Sequence, residues 1–299
     1  MGEAGNWPGG VKVVAEWFPE RERALASGIF NSGSAVGAIL APPLVALILL
    51  KLGWPAAFVI VGVAGFVWLA LWWPTYYTPA VTKAEASAPL APVWQLFRTR
   101  FVLSFTLSKI FMDPVWYFYT FWFPEYLKHA RHFDMASIGK YAWIPFVAAG
   151  FGNLFGGLLS AFLLRCGLSV TLARKSGVTL FAVLMTSAIP AVLVGDAALS
   201  IGLVSVAMLG YTGCLANMLA MPADVFPKNA VASVYGLASM GSGFGGMVFT
   251  LITGWVVDHY SYTPVFIGFG VMPLICALIL WTLLGPLRAT AELRPAPTA

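Results

Sequence analysis

The chain has 299 residues, 60% of them hydrophobic and only 10% charged, with a net charge of +5. Soluble domains run near a quarter charged, so this composition excludes a soluble globule. Its long apolar runs do not alternate with polar residues, which excludes a transmembrane barrel and leaves an all-α polytopic membrane protein.

Nine transmembrane segments are predicted, spanning 1–18, 24–50, 54–73, 101–123, 141–164, 176–195, 197–221, 230–257 and 262–284. The runs 24–50 and 230–257 each exceed the ~20 apolar residues that cross a bilayer core. The first segment is the least apolar, because it holds Glu3, Lys12 and Glu16. No basic leader or cleavage site marks a signal peptide. Residues 74–100, rich in Pro and Ala, read as a linker, and 285–299 as a tail. Cys166, Cys214 and Cys276 lack metal or disulfide spacing.

The loops after segments one, three, five and seven, with the tail, carry eleven Lys/Arg; the opposite set carries four. By the positive-inside rule the first set and the C-terminus are cytoplasmic. The positive charge therefore reflects topology, and nucleic-acid binding is not expected.

A shift of 208 residues lays segments one to three on seven to nine. Phe18-Pro19 then meets Phe226-Pro227, Gly28 meets Gly236, Gly33 meets Gly241 and Gly37 meets Gly245. Parallel repeats of this kind build transporters from two similar halves. The expected domains are 1–73, the second three-helix part of an N-terminal half; 74–100, a cytoplasmic linker; 101–284, a six-helix C-terminal half; and 285–299, a cytoplasmic tail. Three helices are then expected ahead of Met1, in an N-terminally truncated twelve-helix protein, and "GEAGNWPGG" (2–10) reads as the interior of its fourth helix.

The stretch "GEAGNWPGGVKVVAEWFPERERALASGIFNSGSAVGAILAPPLV" (2–45) resembles the major facilitator superfamily. Within it, the stretch is similar to the anion:cation symporter family and its hexuronate transporters. "GGLLSAFLLRCGLSVTLARK" (156–175) resembles that family's loop between helices eight and nine, and "DPVWYFYTFWFPEYL" (113–127) its helix seven. The resemblance implies a major facilitator fold in the inner membrane and proton-coupled uptake of sugar acids by alternating access. It also implies that Glu3 is a coupling acid. Ala161 departs from the acidic residue of the family's loop motif, and the family's ionisable groups of helix one have no counterpart here.

The residues themselves nominate a site. Glu3 lies about 20 Å along its helix from Trp17, at or beyond the midplane, where an ionisable group is a functional hypothesis. Lys109 and Asp113, at i and i+4, either neutralise each other or hold a substrate carboxylate at Lys109. Pro114 predicts a bend beside them. In the aromatic run that follows, Trp116, Tyr117 and Tyr119 either pack or face a sugar. The mid-helix amides Asn6, Asn31, Asn153 and Asn217 either hold helices together or contact ligand.

The glycine ladders at 28/33/37 and 236/241/245 read as close helix packing. Glu20, Arg21, Glu22 and Arg23, with Arg165 and Arg174, read as a cytoplasmic gate of switching ion pairs, the alternative for 20–23 being the alternating charges of an ordinary solvated loop. No P-loop, metal cluster or nucleophile–base pair is present in the sequence, so a transporter is expected, without cofactor or metal. Its partners are a small organic anion, protons and the lipid bilayer. The alternatives are an uncoupled facilitator and a non-transporting fragment.

Overall fold

A computed structural model describes residues 6–19, 21–77 and 93–287. Glu3 and Glu20 lie outside the described residues, as do most of the linker and the tail beyond Leu287. The described chain is helical throughout. In order it forms α1 (Asn6–Trp17), α2 (Arg23–Leu52), α3 (Trp54–Thr75), α4 (Val93–Phe97), α5 (Arg100–Met112) and α6 (Pro114–Tyr117). A π-helical turn (Phe118–Trp122) leads into α7 (Phe123–His129) and α8 (Met135–Tyr141). The rest comprises α9 (Ile144–Arg165), α10 (Val170–Met185), α11 (Ala188–Leu193), α12 (Ala197–Val225), α13 (Lys228–His259) and α14 (Tyr262–Thr282).

Six stretches among the described residues are long and apolar enough to cross a membrane: 54–75, 144–165, 170–193, 197–225, 230–259 and 262–282. This is a multi-pass membrane protein. Predicted segment four is not a single regular helix. It is divided into α5, α6, the π turn and α7, because Pro114 and Pro124 each remove a backbone donor and the π turn holds an extra residue.

Local signals set the helix ends. The hydroxyls of Thr99 and Ser169 accept from the backbone N–H of Val102 and Leu172, each at 3.3 Å, and open α5 and α10. Asp196 caps α12 through the N–H of Leu199 at 3.0 Å. At the far end of α12, Pro227 holds Phe226 extended (φ −107°, ψ 152°), so the helix stops at Val225. The end of α1 and the start of α3 fall 208 residues before the end of α12 and the start of α14, at the shift that aligns the sequence repeat.

The core lies among α5 to α14, where Phe105, Phe118, Tyr126 and Phe266 are all at most 1% exposed. Tight backbone approach requires glycine in two places. A Cβ on Gly156 would lie 2.5 Å from the Gly213 carbonyl oxygen of α12, and one on Gly28 would collide with the backbone carbonyl of Asn153. The second contact docks α2 on α9, while α1 docks on α13. The ladder expectation holds at Gly28, Gly241 and Gly245, but Gly33 and Gly37 meet nothing within 4 Å. Helix α3 has no buried residue, and Phe58, Phe66 and Trp73 project their rings outward.

Candidate functional site

The break in segment four creates the site. Lys109 sits in the last turn of α5, and the N–H of Asp113 closes that turn on the Lys109 carbonyl at 3.1 Å. Four-residue spacing puts the two side chains on one face, and Lys109 Nζ reaches Asp113 Oδ2 at 2.7 Å. Their side chains are 3% and 9% exposed. Lys109 also stands 5.0 Å from the ring centroid of Tyr235, on α13. The second carboxylate oxygen, Asp113 Oδ1, has no hydrogen-bond partner among the described residues.

Both charges line a cavity of about 860 Å³ between α1 and α2 on one side and the later helices on the other. Ligand pockets commonly run from about 300 to 1,000 Å³. Asn6 and Trp7 of α1 and Asn31 of α2 line it from one side. Trp116, Tyr117, Asn153, Tyr211, Thr212, Tyr235 and Ser239 line it from the other. Trp116 stacks on Tyr211 with ring centroids 5.6 Å apart, and Phe146 holds it edge-on at 5.9 Å. The ring is thereby fixed as a wall. Asn31 donates its amide N–H to Asn153 Oδ1 across the α2–α9 contact, leaving Asn153 Nδ2 without a partner among the described residues.

The structure thus gathers Asn6, Asn31, Lys109, Asp113, Trp116, Tyr117 and Asn153 around one space. Tyr119 and Asn217 do not line it. Tyr119 is buried in the core, and Asn217 donates to the carbonyls of Gly156 and Gly213 at 3.1 and 3.0 Å, holding α9 to α12. Tyr211 and Tyr235 were not anticipated. Nothing in a single helix's sequence says which neighbour packs across from it.

A second charged cluster lies at one end of the bundle. Asp224, near the end of α12, has a fully buried side chain between two guanidinium groups. Arg174 Nε of α10 donates to its Oδ2 at 2.8 Å, and Arg23 Nη1 of α2 lies 3.5 Å from its Oδ1. Arg23 also donates to the Ala223 carbonyl, and Arg174 to Ser160 Oγ. Arg21, Glu22 and Arg165 are exposed and form no ion pair among the described residues. Asp224 was missed, although the 208-residue shift places it on Glu16.

The family model described as Major Facilitator Superfamily matches residues 1–173 and 167–299. The chain belongs to this superfamily. Major facilitator proteins are membrane transporters, so the chain is not an enzyme. It is 31% identical over 301 residues to the hexuronate transporter of Escherichia coli (strain K12), covering 94% of this chain and 70% of that relative. It is 27% identical to the D-galactonate transporter of Escherichia coli O6:H1, covering 96% of this chain and 72% of the relative. The crystal structure of a bacterial homologue of the iron transporter ferroportin in an outward-facing state superposes with a TM-score of 0.56 at 15% identity. That match covers 91% of this chain and 66% of the neighbour, and it supports the major facilitator fold.

Proposed function

We propose that the chain is a secondary active transporter of sugar acids, hexuronate-like organic anions, working by proton symport with alternating access in the inner membrane. One observation carries this reading: a buried ammonium, Lys109, lines a cavity together with fixed aromatic rings and amides. An anionic sugar needs a cation for its carboxylate, flat rings for its apolar ring face and amides for its hydroxyls. The relatives named above, transporters of hexuronate and D-galactonate, support that substrate class.

In this proposal Glu3 is a proton-coupling acid. Residues 1–73 belong to one half of the transporter, and 101–284, joined to them through 74–100, form the other. The C-terminus and the Arg23–Asp224–Arg174 cluster face the cytoplasm, in keeping with the positive-inside rule. Arg23 bridges the two halves at that end, so the cytoplasmic gate is closed and the cavity serves the opposite face.

The test is uptake of labelled D-glucuronate or D-galacturonate into liposomes, with external pH followed in parallel. Symport predicts accumulation with external alkalinisation, and Lys109→Gln is expected to lower uptake at least tenfold, the factor lost with ~1.4 kcal/mol of binding. Flux without proton movement would favour an uncoupled facilitator. Uptake unaffected by Lys109→Gln would refute the assigned cation.

A further inference from the structure

Charge balance in the cavity carries a further inference, which rests on the sugar-acid reading. Among the described residues, the cavity's formal charges are Lys109 and Asp113, which cancel. The remaining titratable groups facing Asp113 are phenols and a thiol: Tyr117 from its own broken helix, Tyr235 from α13, Tyr211 from α12 and Cys276 from α14. Phenols and thiols carry no positive charge in either protonation state, so they supply no compensating cation. A bound carboxylate therefore gives the site a net charge of minus one. Lys109 has three donors and can touch both carboxylates, but that does not change the sum. An uncompensated charge beside side chains as buried as those of Lys109 and Asp113 is costly, and taking up a proton removes it.

We infer that Asp113 takes up a proton when a substrate carboxylate binds. The Lys109–Asp113 ion pair opens, Lys109 pairs with the incoming carboxylate, and a proton from water on the open side converts Asp113 to a carboxylic acid. The proton goes to Oδ1, which is buried and has no hydrogen-bond partner among the described residues, so no existing donor has to be displaced. On release the steps reverse: the proton leaves Asp113 and the ion pair with Lys109 re-forms. This proton site is additional to the one proposed at Glu3.

Linkage makes this measurable without transport. If binding takes up one proton, the Kd for D-galacturonate weakens about tenfold for each unit of rising pH. Calorimetry of the purified full chain, in two buffers of different ionisation enthalpy, counts the protons directly. About one proton per anion is expected at Asp113, and Asp113→Asn should remove it, leaving a flatter pH dependence. Binding with no proton uptake and a pH-independent Kd would overturn the inference while leaving the sugar-acid reading intact. So would uptake unchanged by Asp113→Asn, or uptake lost wholly in Glu3→Gln.

Absence of any sugar-acid binding would overturn both readings. If Asp113→Asn does not fold, the infrared difference spectrum of the unaltered protein decides. A protonated-carboxyl band that appears on adding D-galacturonate and persists in Glu3→Gln supports the inference, and its absence overturns it.

Discussion

Lys109 and Asp113 stabilise each other only as a pair. Truncating one leaves the other charged and enclosed, whereas removing both removes the problem; single losses of this kind cost about 3 kcal/mol and double replacements far less. Lys109→Gln is therefore expected to lower the thermal inactivation midpoint, and Lys109→Gln/Asp113→Asn to recover most of it. Equal destabilisation in the single and double variants would show that the two charges are not coupled. The pair was legible in the sequence because helical spacing alone brings i and i+4 together. Tyr235 was not, since its approach to Lys109 depends on how α13 packs against α5. Asp224 was half legible: the repeat marks its position, but only the fold brings Arg23 and Arg174 to it from two other helices.

At the scale of elements, six of the nine predicted segments coincide with stretches long and apolar enough to cross a membrane, because length and apolarity are one-dimensional properties. Side-chain direction is harder, and segment four shows why. A π turn adds a residue without adding a helical turn, so positions after it face differently from those of an unbroken α-helix. Tyr119, inside that turn, is buried in the core, while Trp116 and Tyr117, before it, line the cavity.

The glycine ladder on α2 fails for a related reason. Regular spacing shows a small-residue face but not how far the neighbouring helix follows it: Gly28 is seated against α9, while Gly33 and Gly37 meet nothing within 4 Å. The contrast predicts opposite mutational signs. Gly28→Ala drives a methyl into the Asn153 backbone and is expected to destabilise by about 1–3 kcal/mol. Gly33→Ala has open space and gains helix propensity, so it should stabilise by up to ~1 kcal/mol. Thermal inactivation of the two purified variants checks both signs, and similar losses in the two would mean that α2 packs along its whole length.

Across the whole molecule, the repeat ties the helices together in pairs, and α3 and α14 show how differently two related elements can be used. Helix α14 packs Phe266, Cys276 and Leu280 into the core, while α3 has no buried residue. The two parts of the chain meet mainly through α2 on α9 and α1 on α13, and the Arg23–Asp224 contact closes one end of that seam. In the alternating access proposed above, this contact breaks in the other state, and the ion pair then biases the closed arrangement.

Arg23 is partly exposed and its ion pair contributes ~1 kcal/mol, which corresponds to about a fivefold shift in the open population. Ser27, 1% exposed one turn along α2 from Arg23, reports on opening. With the exposed Cys166 replaced by Ser, Ser27→Cys should react slowly with a hydrophilic maleimide added at the face proposed to be cytoplasmic. Arg23→Gln should raise that rate about fivefold. Arg23→Lys, which keeps the charge but loses the planar donor geometry, should fall between the two. A rate that stays the same in Arg23→Gln would show that helix packing, with Gly28 seated against Asn153, keeps this end closed without help from the charges.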